Sequence, residues 1–202
     1  MTVDKLILRV FLTTLASVAI LFLFMLTALV CVYPQTMMKL TYDLGMEKAS
    51  VWFAEVSYDR SDDVYYIAYA TEVAIDQQDY EKIESCGVQL IADADFEAFC
   101  ADKNGAQSVE GDMTYAQYVY GQVCVAKYAC GQAKEAVDLA FEKTGENVFP
   151  KNNAVVAVLF AALNGNDGET VAMIREKMNK QTQMSTEDKA YFDAIFALTE
   201  SE

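Results

Sequence analysis

The sequence predicts an all-α fold: an N-terminal transmembrane helix followed by a short stack of antiparallel helical hairpins. Three observations predict it. Residues 10–32 form a run of 23 residues without a charge. Apolar residues recur every three or four positions through most of the remainder. Proline is scarce: only Pro34 and Pro150 occur, both at candidate boundaries, so long helices are permitted elsewhere.

At 1.5 Å per residue the uncharged run spans about 34 Å, enough for a hydrocarbon core of about 30 Å with some tilt. Thr13, Thr14, Ser17 and Thr27 can donate back to their own helix. Tyr33 is placed for the interface, and Pro34 marks the exit. A cleaved signal peptide competes with this reading. Its apolar region is normally about 7–15 residues and ends in small residues. Here the run is longer, and Leu29, Val30, Cys31 and Val32 make a poor cleavage site. The reading is an uncleaved signal anchor, residues 1–33, and an acidic helical domain, residues 34–202. Lys5 and Arg9 stand closer to the run than Lys39 and Lys48 do. That favours a cytoplasmic N-terminus and a domain outside.

The net charge is −15, and nearly all of it lies beyond the membrane run. From position 34 onward there are 29 acidic against 13 basic residues. Such a domain lacks the basic surface that DNA, RNA or anionic lipid would need. Its charge serves solubility or docks a basic partner. Histidine is absent, which removes His-dependent triads, bases and metal ligands.

Beyond the anchor, Met38, Tyr42, Met46, Ala49, Val51, Trp52 and Phe53 have helical spacing. They predict one stiff stalk helix over 35–56, with Gly45 its weak point. Asp62 is the expected N-cap of the next helix. Residues 64–75 carry tyrosines and β-branched residues that could suit a strand. However, Ile67, Ala70, Ala74 and Ile75 fall on one helical face. The second arm runs from 80 to 92, and a shorter helix covers 94–101. Residues 102–112 read as a loop. Residues 114–144 give the clearest hairpin, broken at Cys130, Gly131 and Gln132, with Gly131 as a left-handed cap. Asn153 can cap the apolar helix 154–163, which is too short to span a bilayer. The turn at residues 164–168 leads to a partner helix. A last helix begins at Ser185, with Asp188 completing a capping-box variant.

The hairpin at 114–144 resembles a tetratricopeptide repeat. Gly121, Ala133 and Ala140 stand at the small-residue offsets of that repeat. Cys124 and Val137 stand where larger residues are usual, and no proline closes the unit. Pairs centred near 64–92 and 154–179 share the layout without the signature. The resemblance implies a right-handed stack of hairpins, a scaffold that usually binds peptides or protein partners. Gly121 and Ala140 are the expected close contacts between the two arms.

Catalytic and metal chemistry find little support. No two cysteines form a C-x-x-C pair, so zinc would need all four soluble thiolates, Cys86, Cys100, Cys124 and Cys130. Cys86 and Cys100 could instead bridge two helices. Asp93, Asp95 and Glu97 alternate, but Ala98 stands where a calcium loop needs glycine. No phosphate loop, dinucleotide fingerprint or nucleophile elbow occurs. The expectation is no catalytic residue, no metal and no cofactor.

Tyrosine is the informative polar residue. Tyr65, Tyr66 and Tyr69 crowd one predicted helix, and Tyr115, Tyr118, Tyr120 and Tyr128 another. Tyrosine suits a surface that is apolar yet able to hydrogen-bond, as protein-binding grooves are. It also fills gaps between helices with its hydroxyl at the rim. Tyr65, Tyr66, Tyr69, Tyr118 and Tyr128 are the candidate partner-binding residues. The leading expectation is a membrane-tethered module that binds a protein or peptide at the cell envelope, with no nucleic-acid role. A structural subunit that assembles through its membrane helix and stalk is the alternative, and an apolar patch on the stalk would favour it. An envelope hydrolase would need buried carboxylates converging in a cleft.

Overall fold

The computed structural model describes residues 3–106, 113–144, 154–180 and 184–199. Eleven helices and no strand occur among them. Two compact units divide the chain, Met1–Asp62 and Asp63–Glu202.

The first unit begins with α1 (Val3–Val32), which is long and apolar enough over Arg9–Val32 to cross a membrane. The hydroxyls of Thr13, Thr14, Ser17 and Thr27 donate to carbonyls one turn back at 2.8–3.0 Å, so none needs an outside partner. Tyr33 breaks the helix (φ −131°, ψ 58°), and Pro34 starts α2 (Pro34–Asp43) at a position where its missing N–H costs nothing. The expected stalk is not one helix. Gly45 adopts φ +69°, the chain reverses, and α3 (Glu47–Ser61) packs back on α2. The Ser50 hydroxyl donates to the Met38 carbonyl at 2.9 Å across this pair. The Arg60 guanidinium donates to the Cys31 carbonyl and ties the end of α3 to the end of α1. Asp62 is the left-handed C-cap that ends α3, not the N-cap of the next helix. Its neighbour Asp63 caps α4 by accepting the Tyr65 N–H at 3.0 Å.

The second unit holds α4 (Val64–Asp76), α5 (Tyr80–Ala92), α6 (Phe96–Ala106), α7 (Tyr115–Ala129), α8 (Ala133–Thr144), α9 (Ala154–Asn164), α10 (Gly168–Asn179) and α11 (Thr186–Thr199). Helix α6 runs further than expected, through part of the predicted loop. The expected cap Asn153, the rest of that loop and Gly145 lie outside the described residues. Helices α4–α5, α7–α8 and α9–α10 pair directly. Between pairs, α5 packs on α7, α7 and α8 pack on α9, and α8 packs on α10. Helix α9 thus has three neighbours. Val155, Val158, Leu159 and Ala162 are buried, whereas Phe160 points outward. Gly121 does not face the second arm of its own hairpin. A methyl there would lie 3.7 Å from the Ala157 Cβ on α9. Ala140 is buried in the common core.

One turn recurs at four pair junctions. At Gly45, Gln78, Gly131 and Asn166 the backbone is left-handed. Each of the four donates its N–H to the carbonyl three residues back, and the residue after it donates five back, at 2.8–3.0 Å. This is the Schellman arrangement, which satisfies the carbonyls that a helix end leaves open.

Candidate binding face

The tyrosines of α7 radiate to three different elements. The buried Tyr115 donates its hydroxyl to Glu72 Oε1 on α4 at 2.7 Å. Tyr120 donates to Glu97 on α6 at 3.0 Å, and its ring meets Phe96 edge-on. Tyr128 donates to Asp167, the N-cap of α10, at 3.2 Å. Burial first, then the bonded carboxylate, pushes the phenols of Tyr115 and Tyr120 above their usual range. Three tyrosines thus act as ties between helices.

Helix α4 presents Tyr65, Tyr69, Glu72 and Asp76 at helical spacing along one face, while Ile67, Ala70, Thr71 and Ala74 are buried. Tyr65 and Tyr66 meet edge-on with centroids 5.5 Å apart. Glu72 is the hub: it also accepts from Lys103 Nζ at 3.0 Å, and that ammonium lies over the rings of Phe99 and Tyr115. Tyr118 is half-buried, and its phenol is pushed up by burial and by the carboxylates of Asp76 and Glu72. Tyr118 therefore belongs with the α4 face.

Of the five candidate residues, Tyr65, Tyr66 and Tyr69 share α4, and Tyr118 stands beside the carboxylates of that helix. Tyr128 does not join them. It lies ten residues further along α7, about 15 Å at the helical rise. There it bonds Asp167, which with Leu163, Val171 and Arg175 lines a cleft of about 770 Å³ at the α9–α10 turn. Arg175 lies over the Phe196 ring at 4.6 Å. Glu72, Asp76 and Lys103 are not among the residues that the sequence predicts for a site. A signal was available for Glu72, the one acidic residue inside the apolar run 64–75.

None of the five cysteines is in a disulfide, so Cys86 and Cys100 are not bridged. Burial pushes the Cys100 and Cys124 thiols up to about 12, which keeps them protonated and poorly nucleophilic. Among the described residues no three His, Cys, Asp or Glu side chains converge to hold a metal.

Asp167 offers a direct test of one tie. Its carboxylate accepts from the Thr170 hydroxyl at 2.7 Å, the Thr170 N–H at 3.0 Å and Tyr128. These bonds, that of the Thr170 hydroxyl foremost, hold the carboxyl below its usual range. Asp167→Ala is expected to cost about 1 kcal/mol at neutral pH, as a lost N-cap does. Because the folded pKa is lowered, this stabilisation is present above the unfolded carboxyl pKa. It fades as pH falls through the folded one. Denaturation curves of parent and variant should therefore converge in acid. A gap of constant size down to low pH would mean that the carboxylate is not its cause.

No family model, curated protein or solved structure matches the chain.

Proposed function

We propose that the chain is a membrane-tethered helical-repeat module that binds a protein or peptide partner at the cell envelope. The recurrence of one helical hairpin carries this reading. The left-handed turns at Gly45 and Gln78 are 33 residues apart, and those at Gly131 and Asn166 are 35 apart. Tetratricopeptide units repeat at about 34 residues. Within the second unit, first helices meet first helices (α7 on α9) and second helices meet second helices (α8 on α10). The α4 face with Tyr118 offers a partner aromatic surface beside carboxylates, a surface that can both bury and hydrogen-bond a peptide. Helix α1 supplies the tether, and Lys5 and Arg9 favour a domain outside the cytoplasm.

The test is site-specific photo-crosslinking in native membranes. A photoreactive side chain at Tyr65, Tyr69 or Tyr118 is expected to capture one common partner. The same group at Glu135, on the exposed side of α8, is expected to capture none. Equal adducts from Glu135, or none from the tyrosines, would remove the proposed face.

A second reading has its own support. Leu40, Leu44, Met46 and Trp52 are exposed on the α2–α3 pair, the apolar patch that a structural subunit would bury. Adducts from α1 and α2 alone would favour it.

A further inference from the structure

We propose that the α2–α3 hairpin lies flat on the bilayer as an interfacial foot, with Leu40, Leu44 and Trp52 in the lipid headgroup layer. The proposal rests on the reading of α1 as a membrane helix. Among the described residues after α1, every exposed leucine, methionine and tryptophan lies in this one hairpin. Leu44 is 65% exposed and Trp52 51%. Among its described residues, the much larger second unit exposes only Tyr65, Tyr80 and Phe160 of its large hydrophobic side chains. Apolar exposure is thus concentrated in the segment that leaves the membrane helix.

The pattern along the two helices is that of a surface-lying pair. Met37, Leu40 and Leu44 follow one another at i, i+3, i+7, as do Ala49, Trp52 and Val56. Met38 and Ser50 point between the helices. In an antiparallel pair of right-handed helices joined there, both stripes fall on the same side. Lys48, four residues before Trp52, is exposed and can lay its stem along that surface with its ammonium group among phosphates. Asp43 and Glu47 flank the exposed turn, which fits the hydrated headgroup layer and not the hydrocarbon.

The anchoring geometry points the same way. Pro34 starts the hairpin directly after α1, and Arg60 ties its other end back to the Cys31 carbonyl. Both roots are therefore held at the exit of the membrane helix. The ten residues of α2 span about 15 Å. Standing upright, they would carry Leu44 beyond an interfacial layer only about 5–8 Å thick. Lying flat keeps Leu40, Leu44 and Trp52 within it. The break at Tyr33 permits the change of direction.

Trp52 is the only tryptophan of the chain, so its fluorescence reports this face alone. The full-length protein would be placed in phosphatidylcholine nanodiscs, where both membrane faces are open to solvent. Lipids brominated near the headgroup end of the acyl chain are expected to quench most of the emission, and aqueous iodide little. Leu40→Ser with Leu44→Ser is expected to reverse that order. Quenching by iodide and not by brominated lipid would overturn the proposal. Protection from both quenchers would place a second copy of the chain on this face and overturn it equally. Alkaline carbonate extraction of membranes carrying the same chain separates the two readings. A released chain overturns anchor and foot together. A retained chain with lipid-insensitive Trp52 overturns the foot alone.

Discussion

Gly87→Ala is expected to lower the stability of the folded chain by about 1–3 kcal/mol, although alanine is the better helix former. Gly87 is buried in α5 where α5 packs on α7. A methyl group there would lie 2.3 Å from Val123 Cγ2, far inside contact distance. Val123 is fully buried and branched at Cβ, so its methyl cannot swing away without a rotamer change or a shift of α7. Gly121 provides the contrast. Its new methyl would meet the Ala157 Cβ at an ordinary 3.7 Å, so Gly121→Ala should gain up to about 1 kcal/mol from helix propensity. Urea titrations of the detergent-solubilised chain, followed by circular dichroism, measure both. Adding Val123→Ala should relieve the clash of Gly87→Ala, giving a coupling energy between the two sites. If Gly87→Ala is as stable as the parent, α5 and α7 do not approach this closely.

Phe192→Ala is expected to cost about 3–5 kcal/mol, the range for removing a buried phenylalanine side chain. Phe192 is 2% exposed and lies near-parallel to Phe196 with centroids 6.5 Å apart. Both join the core that includes Val155, Leu159, Ile174 and Met178. Helix α11 thus covers apolar surface that α9 and α10 would otherwise leave open. The same titrations decide. An unchanged midpoint would show that α11 contributes nothing to the cooperative unit.

Where signals were local, the sequence was legible. The charge-free run, the break at Gly131 and the apolar periodicity of α7 and α8 each depend on residues within a few turns of one another. Other features depend on partners far along the chain. Gly45 reads as a weak point inside a helix, because a glycine in an apolar period is compatible with both a helix and a turn. The contact of Ser50 with the Met38 carbonyl favours the turn. Asp62 and Asp63 are chemically alike, and backbone geometry alone makes one the end of α3 and the other the start of α4. Gly87 attracts no notice in the sequence because Val123, its contact, is on another helix. The tyrosines stand out in the sequence as a group, but their hydrogen-bond partners do not. The hydroxyls of Tyr115, Tyr120 and Tyr128 find acceptors 43, 23 and 39 residues away.

In the second unit the main helix contacts join elements close in chain order. That has a consequence for biosynthesis. Helical folds with such local contacts form in microseconds to milliseconds, whereas ribosomes add about 5–20 residues per second. Each hairpin can therefore complete as soon as its second helix clears the exit tunnel. The folded part of the second unit then lengthens one hairpin at a time, and α11, which follows α10, covers the apolar surface that α9 and α10 leave.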